Sequence, residues 1–164
     1  MSSYERSVRI DAPLSEVWEF HSTERGLEAL TPAWMHLRVE DVRGPDDEPN
    51  PEILEAGSRL RCSVQPFGVG PRQRWTSEIV EREEREGSAY FRDVMHDGPF
   101  VEWEHTHSFF ADGEGTVLRD HVRYELPLGA VGRALGPVAV VGFAPMFRFR
   151  HRRTRELLGT AVEP

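Results

Sequence analysis

Apolar and polar residues alternate through most of the chain after residue 58, and the clearest run lies between residues 101 and 109. Every second residue in this run shares one side: Val101, Trp103, His105, His107 and Phe109. Side chains of a strand point alternately to its two faces, so this pattern predicts a β-strand with one buried face. That face carries two imidazoles and an indole, which are polar groups that need partners when buried.

Similar alternation predicts six more strands. Together the predicted strands cover residues 4–10, 36–42, 58–66, 73–83, 89–95, 101–109 and 116–126. Several of the connections are short and contain glycine, as in Glu86-Gly87 and Asp112-Gly113-Glu114-Gly115, which is typical of hairpins between antiparallel strands. The chain from residue 58 to 126 is therefore predicted to form an antiparallel meander.

Three segments have helical rather than strand periodicity. After the first strand, Leu14, Val17, Trp18 and His21 form an apolar stripe with Asp11 as the predicted N-cap. A second short helix is predicted from Glu24 to Leu30. The last segment, Val138 to Leu158, is predicted to be a long helix that Pro145 kinks or limits. Strands followed by a long helix indicate an α+β domain.

Composition narrows the classes of function. The 164 residues suit a single domain over 1–164, and a net charge of -8 argues against general nucleic-acid binding. A lone cysteine, Cys62, excludes an intrachain disulfide. No basic and apolar leader is visible at the N-terminus, and the apolar runs are shorter than a membrane span, so we expect a cytoplasmic protein with no membrane span. A homodimer is left open.

Acid/base chemistry is the sharpest prediction for the 101–109 strand. His105 and His107 project to the same side, and the neighbouring 116–126 strand can place Asp120 and Tyr124 opposite them. Asp93 on the preceding strand is a second candidate partner. An aspartate that accepts a hydrogen bond from an imidazole fixes its tautomer and raises its basicity. We therefore take His105, His107 and Asp120 as candidate catalytic residues.

Several motifs along the chain resemble one known superfamily. They are the opening Val8-Arg9-Ile10-Asp11-Ala12-Pro13-Leu14-Ser15-Glu16-Val17-Trp18, the Leu30-Thr31-Pro32 turn and the Tyr124–Gly129 approach to the last helix. The chain resembles the START-like, helix-grip superfamily (SRPBCC), which includes polyketide cyclases and Bet v 1-like proteins. The 98–109 run resembles cyclase/dehydrase-like members of mostly undefined activity.

That resemblance implies a curved antiparallel sheet of about seven strands around the long C-terminal helix, with two short helices after the first strand. It also implies an elongated pocket between sheet and helix. Aromatic residues mixed with ionisable groups on the inward faces favour a small-molecule pocket independently of the resemblance. The predicted ligand-binding residues are Trp18, Trp75, Phe91, Asp93, Trp103, Phe109 and Tyr124.

Three functions stay open at this point. The first is binding of a small, largely apolar ligand, such as a lipid, polyketide or aromatic compound. The second is a cyclase, dehydratase or isomerase that uses His105 or His107 with Asp120 or Asp93. The third is a regulator that binds a partner through the basic helix end around Arg148–Arg155. The alternative to catalysis is a buried His-Asp-Tyr network whose hydrogen bonds are satisfied within the protein and which only shapes the cavity.

Other sites are weaker hypotheses. Two histidines and an aspartate are legitimate metal ligands, but no Glu-x-x-His motif supports them, and we expect neither a metal nor a cofactor. Gly129, Gly132 and Gly136 lack the spacing of a dinucleotide-binding turn. Arg72 and Arg74 could pair with a ligand carboxylate, although arginines in such positions are more often surface charges.

Overall fold

Seven strands form one antiparallel sheet in the computed structural model, which describes residues 1–159. The strands are β1 Ser2–Ile10, β2 Arg38–Arg43, β3 Arg59–Val64, β4 Gln73–Arg85, β5 Ser88–His96, β6 Glu102–Asp112 and β7 Gly115–Glu125. Their order in the sheet is β1-β7-β6-β5-β4-β3-β2. Strands β2 to β7 therefore pair in chain order, as the meander prediction requires, and β1 closes the edge beside β7.

Three α-helices complete this described part of the fold: α1 Leu14–His21, α2 Glu24–Ala29 and α3 Gly129–Leu158. Short 3-10 helices occupy Ala33–Met35 and Pro66–Gly68. The two short α-helices follow β1, and the long one follows β7 and packs against β1 and β7. The curved sheet and the long C-terminal helix confirm the predicted α+β helix-grip fold.

The cap of α1 differs from the prediction. Pro13, rather than Asp11, is the N-cap, and no side chain caps the helix. Asp11 lies two residues too early, and its carboxylate pairs with Arg9 instead. The second helix has a side-chain cap, because the Thr23 hydroxyl oxygen accepts a hydrogen bond from the Gly26 amide at 3.2 Å.

Helix α3 begins nine residues earlier than predicted, at Gly129 instead of Val138. Two glycines make this early start possible. At each of them the helix passes so close to another segment that a side chain would collide with it. A Cβ on Gly132 would lie 2.0 Å from the Pro127 carbonyl oxygen, and one on Gly136 would lie 2.2 Å from Ser2 Oγ. The glycines thus serve close packing of the helix, and α3 runs through both Pro137 and Pro145 to Leu158.

The core divides into two apolar clusters. The larger one joins α1 to the sheet through residues such as Val17, Trp18, Phe91 and Phe109. The smaller one joins α3 to the sheet and contains Trp103, Val122, Tyr124 and Phe147. Three polar residues of β6 and β7, His105, His107 and Asp120, are buried alongside these clusters, so the fold holds them away from bulk water.

Among the described residues, α3 is the one helix that is long and apolar enough to match a membrane span by length and composition. This match is weak evidence, because a core helix of a soluble protein passes the same test. Its C-terminal half carries buried residues that face the sheet, including Phe147, His151 and Thr154. Exposed apolar side chains concentrate in its N-terminal half, at Val131, Leu135, Val138 and Val141.

Candidate functional site

A cavity of about 170 Å³ lies between the sheet, the two short helices and α3. Its walls are mainly apolar, with contributions from Leu27, Leu60, Ile79 and Met146. Six of the residues predicted for the site line it: Trp75, Phe91, Asp93, Trp103, His105 and His107. The cavity therefore combines mainly apolar walls with a group of ionisable residues on β5 and β6.

Other predicted ligand-binding residues lie outside the cavity lining. Trp18 turns its indole nitrogen toward Glu84 Oε2 at 2.9 Å, and Phe109 packs edge-on against the Trp18 ring. Tyr124 donates its hydroxyl to the Gly136 carbonyl at 2.6 Å, so that its polar end is used to hold α3. Val101 precedes β6 and is 62% exposed, because the regular strand begins only at Glu102.

Asp120 lies at the centre of a cluster of three histidines. Its Oδ1 accepts a hydrogen bond from His105 Nε2 at 2.8 Å, and its Oδ2 accepts one from His151 Nε2 at 2.5 Å. His107 Nδ1 is 3.2 Å from Oδ1, but it is not aligned for a hydrogen bond and the contact is electrostatic. Asp120 lies directly across from His107 in the β6–β7 register, which explains this proximity.

His151 is a member of this cluster that the strand pattern did not predict. It lies on α3, is 1% exposed, and brings the helix into contact with β7 through Asp120. A signal was present in the sequence, because Ala144, Phe147, His151 and Thr154 recur at helical spacing and all are buried. A buried histidine on such a stripe needs a polar partner, which the sequence alone does not identify.

Asp93 forms the second carboxylate of the site. Its Oδ2 accepts a hydrogen bond from His107 Nε2 at 3.0 Å, and its Oδ1 accepts one from Ser77 Oγ at 3.3 Å. His105 Nδ1 lies 3.9 Å from the same Oδ2. His107 therefore bridges two aspartates, whereas His105 is bonded to Asp120 and only approaches Asp93.

The surroundings of His105 and His107 shift their pKa values in opposite directions. Burial lowers the pKa of His105, and the neighbouring His107 lowers it further. Burial also acts to lower the pKa of His107, but Asp120 and Asp93 outweigh it and raise the pKa overall. Burial alone would raise the pKa of Asp120, yet the three histidines hold it well below its usual range. The cluster thus favours two carboxylates, a protonated His107 and a neutral His105.

This charge state assigns the tautomer of His105. A carboxylate can only accept hydrogen bonds, so Nε2 carries the proton that is shared with Asp120. In the neutral ring, Nδ1 then keeps its lone pair. His105 lines the cavity, which makes Nδ1 a candidate proton acceptor beside a bound ligand.

Three of these side chains are also close enough together to hold one metal ion. Asp93, His105 and His107 each offer one ligand atom, and these atoms all lie within 4.8 Å of one another. Two histidines and a carboxylate suit zinc or another transition metal. His107 Nε2 and Asp93 Oδ2 are hydrogen-bonded to each other, so that bond would be exchanged for bonds to the metal.

His21 on α1 also lines the cavity. Its Nδ1 donates to the Val17 carbonyl at 2.8 Å, because a carbonyl oxygen can only accept. Burial lowers the pKa of His21 to about 3, so the ring is neutral near pH 7 and its Nε2 can accept a hydrogen bond. The sequence placed His21 on an apolar stripe but gave no indication of this role.

Of the arginines considered from the sequence, Arg72 and Arg74 lie away from the cavity, as the surface-charge interpretation expects. Arg72 donates to Ser63 Oγ and to the His36 carbonyl, and Arg74 lies 3.6 Å from Glu40, so neither lines the cavity. In the basic helix end, Arg152 and Arg153 pair with Glu156. Arg150, from the same segment, lines the cavity.

Comparison with solved structures shows the same fold in several proteins. A protein of Thermus thermophilus, TTHA0849, has a TM-score of 0.68 and 21% identity over 99% of this chain and 100% of that one. A START superfamily protein of Mycobacterium smegmatis has a TM-score of 0.63 and 16% identity, covering 94% and 98%. Norcoclaurine synthase of Thalictrum flavum, solved with dopamine and hydroxybenzaldehyde, has a TM-score of 0.64 and 12% identity, covering 99% and 89%.

A search of curated proteins finds no relative by sequence. The family model described as polyketide cyclase/dehydrase and lipid transport matches residues 1–159, which is nearly the whole chain. This match and the START-fold neighbours agree with the resemblance carried by the opening Val8–Trp18 motif. The chain belongs to the polyketide cyclase/dehydrase and lipid transport family.

Proposed function

We propose that the protein binds a small, largely apolar molecule with an oxygen-bearing end in the cavity between the sheet and α3. The observation that carries this proposal is the composition of the cavity wall. Leucine, isoleucine, methionine and aromatic side chains cover most of it, whereas Asp93, His105 and His107 are grouped in one region. Apolar walls with a few convergent polar groups are typical of ligand sites.

The size of the cavity limits the ligand. A volume of about 170 Å³ is similar to that of an engineered protein cavity, roughly 150 Å³, that admits benzene. The cavity is not fully enclosed, so part of a longer molecule can extend beyond it. A compound with one ring or a short branched chain therefore fits the enclosed part, and a second ring can extend through the opening. Norcoclaurine synthase, a structural neighbour, was solved with aromatic compounds of this size.

Binding can be tested with a neutral probe, 2-acetonaphthone, by isothermal titration calorimetry. We expect one site per chain, and Leu27→Trp should abolish binding because its indole would fill the cavity next to α2. Leu135→Trp is the matched control, since Leu135 is 52% exposed on the outer face of α3. Wild-type protein that binds neither this probe nor any molecule retained in native mass spectrometry would contradict the proposal.

A second function, acid/base catalysis, is favoured by the state of His105. Its Nε2 is held by Asp120, and its Nδ1 keeps a lone pair beside the cavity, which is the arrangement of a general base. Asp93 and His107 form a neighbouring hydrogen-bonded pair that can return a proton. The reaction class would be proton removal next to a carbonyl, as in an isomerisation, cyclisation or dehydration.

Proton exchange tests this second function without knowledge of the substrate. The methyl group of 2-acetonaphthone exchanges hydrogen for deuterium in D₂O when a base removes a proton, and NMR measures the rate. General-base catalysis typically contributes about 10²–10⁴-fold. We expect the wild type to accelerate exchange and His105→Gln to remove that acceleration, with His96→Gln as the exposed-histidine control. Equal rates for wild type and His105→Gln would exclude His105 as the base.

A further inference from the structure

One cation in the cavity has no partner for its charge. Arg150, on α3, is the single arginine among the described residues that line the cavity, and it is partly buried. Within residues 1–159, no carboxylate oxygen lies within 4.0 Å of its guanidinium, and that group donates no hydrogen bond. Its backbone carbonyl accepts a hydrogen bond from the Thr154 hydroxyl at 2.9 Å.

The two nearest carboxylates are already occupied. Asp93 and Asp120 attract Arg150 electrostatically but lie beyond ion-pair distance. Asp120 is held by His105 and His151, and Asp93 is held by His107 and Ser77. Neither aspartate can turn toward Arg150 without breaking these hydrogen bonds, so the internal network leaves the guanidinium unpaired.

Neighbouring arginines on the same helix behave differently. Arg152 and Arg153 both pair with Glu156, and Arg155 donates to the Arg9 carbonyl at 3.1 Å. Arg72 and Arg74, the arginines that the sequence suggested for a ligand carboxylate, are engaged with other protein groups. In the described part of the chain Arg148 is also without an ion pair, but it is exposed, so Arg150 is distinguished by carrying an unpaired charge inside the cavity.

A buried charge is costly unless it is paired, and burial is the largest effect on Arg150, where it lowers the pKa. Guanidinium groups present parallel N–H donors that match the two oxygens of a carboxylate. We propose that Arg150 is the anion-recognition residue of the cavity, and that the ligand is an apolar carboxylic acid bound through its carboxylate. This inference rests on the proposed binding function and adds the chemical class of the ligand.

The arrangement also predicts how the ligand lies. Its carboxylate would meet Arg150, and its apolar body would extend along Leu27, Leu60 and Ile79, which line the same cavity. The aspartates do not repel it strongly, because each is hydrogen-bonded to histidine and the protonated form of His107 is favoured. Arg150 thus supplies the one permanent positive charge in the described cavity wall.

Two probes of nearly equal shape test this assignment. 2-Naphthoate carries a carboxylate where 2-acetonaphthone carries a neutral acetyl group, and calorimetry gives both affinities. We expect the wild type to bind 2-naphthoate at least tenfold more tightly. Arg150→Gln should remove that preference and leave 2-acetonaphthone within about threefold, whereas Arg148→Gln, on an exposed neighbour, should behave as the wild type.

Each outcome has a definite meaning. If 2-acetonaphthone binds but 2-naphthoate is not preferred, or if Arg150→Gln keeps the preference, the anion assignment is wrong and the binding function stands. If neither probe binds the wild type and native mass spectrometry finds no retained molecule, both proposals fail, whereas a retained molecule without a carboxylate overturns the anion assignment alone. Arg150→Lys covers the case of an unfolded glutamine variant, because it keeps the charge without the paired donors and should retain only part of the preference.

Discussion

Asp120 on β7 and His151 on α3 are joined by a hydrogen bond of 2.5 Å, although 31 residues separate them in the chain. Both side chains are almost fully buried. The bond ties the long helix to the sheet, and the same carboxylate also accepts a hydrogen bond from His105. One carboxylate thus positions a candidate general base and anchors the helix that carries Arg150.

Replacement of this central carboxylate should destabilise the protein strongly. Asp120→Asn removes the charge that three histidines surround, and loss of one partner from a buried ionic network costs about 3 kcal/mol or more. Urea unfolding followed by circular dichroism measures the free energy of unfolding. Glu78→Gln, which weakens pairs with the exposed side chains of His96 and Arg59, is the control and should cost less than about 1 kcal/mol. A loss below about 1 kcal/mol for Asp120→Asn would show that the network does not stabilise the fold.

Acid should destabilise the protein through His21. Its pKa is about 3 in the folded state and about 6.5 in the unfolded chain, so the unfolded state binds the proton first as the pH falls. The free energy of unfolding therefore falls by up to about 1.4 kcal/mol for each pH unit between roughly 6.5 and 3. The charges that face this ring are Arg150, His107 and Asp120, and the lowered pKa of His105 acts in the same direction.

The contribution of His21 to this pH dependence is the difference between the unfolding free energies of the wild type and of His21→Gln. Between about pH 6.5 and 5.0, His21→Gln should lose about 1.6 kcal/mol less than the wild type, because glutamine does not titrate. Parallel pH profiles for His21→Gln and the wild type would mean that His21 is protonated as readily in the folded protein as in the unfolded chain.

Cys62 should be inert toward thiol reagents in the folded protein. Its side chain is 1% exposed, and burial raises the pKa of the thiol to about 12. At about pH 8 the reactive thiolate is then roughly a thousandfold rarer than in an unfolded chain, where the pKa is about 8.5. Reaction with Ellman's reagent, followed by the absorbance of the released thiolate, should be complete only after unfolding in urea. Rapid stoichiometric labelling of native protein would show that the cavity opens readily to the reagent.

Two glycine substitutions should have opposite effects on stability. A Cβ on Gly26 would lie 2.1 Å from the Phe20 carbonyl oxygen, so Gly26→Ala forces α1 and α2 apart and should cost about 2 kcal/mol. Gly142 in α3 has open space around it, and Gly142→Ala should stabilise the helix by up to about 1 kcal/mol. Thermal unfolding of both variants measures the difference. Equal melting temperatures would contradict the close contact between the two short helices.

Much of the fold could be predicted because strand and helix periodicity are local properties. The β6 pattern placed Trp103, His105 and His107 on one buried face, and the register to β7 brings Asp120 opposite His107. The start of α3 was missed because glycine and proline obscure helical periodicity. Gly132 and Gly136 are required in this helix because other segments approach them too closely for a side chain. A local sequence pattern carries no information about such contacts.

By itself, the sequence determined the antiparallel sheet, the flanking helices, the family and a strand with two buried histidines. Alternation along the chain and the hydrophobic cost of exposing one face are sufficient for these features. Only the tertiary structure decided which groups meet: His151 at Asp120, Arg150 in the cavity, and Tyr124 at Gly136 of α3. These contacts depend on how α3 crosses the sheet, and that crossing is the result of packing between segments far apart in sequence.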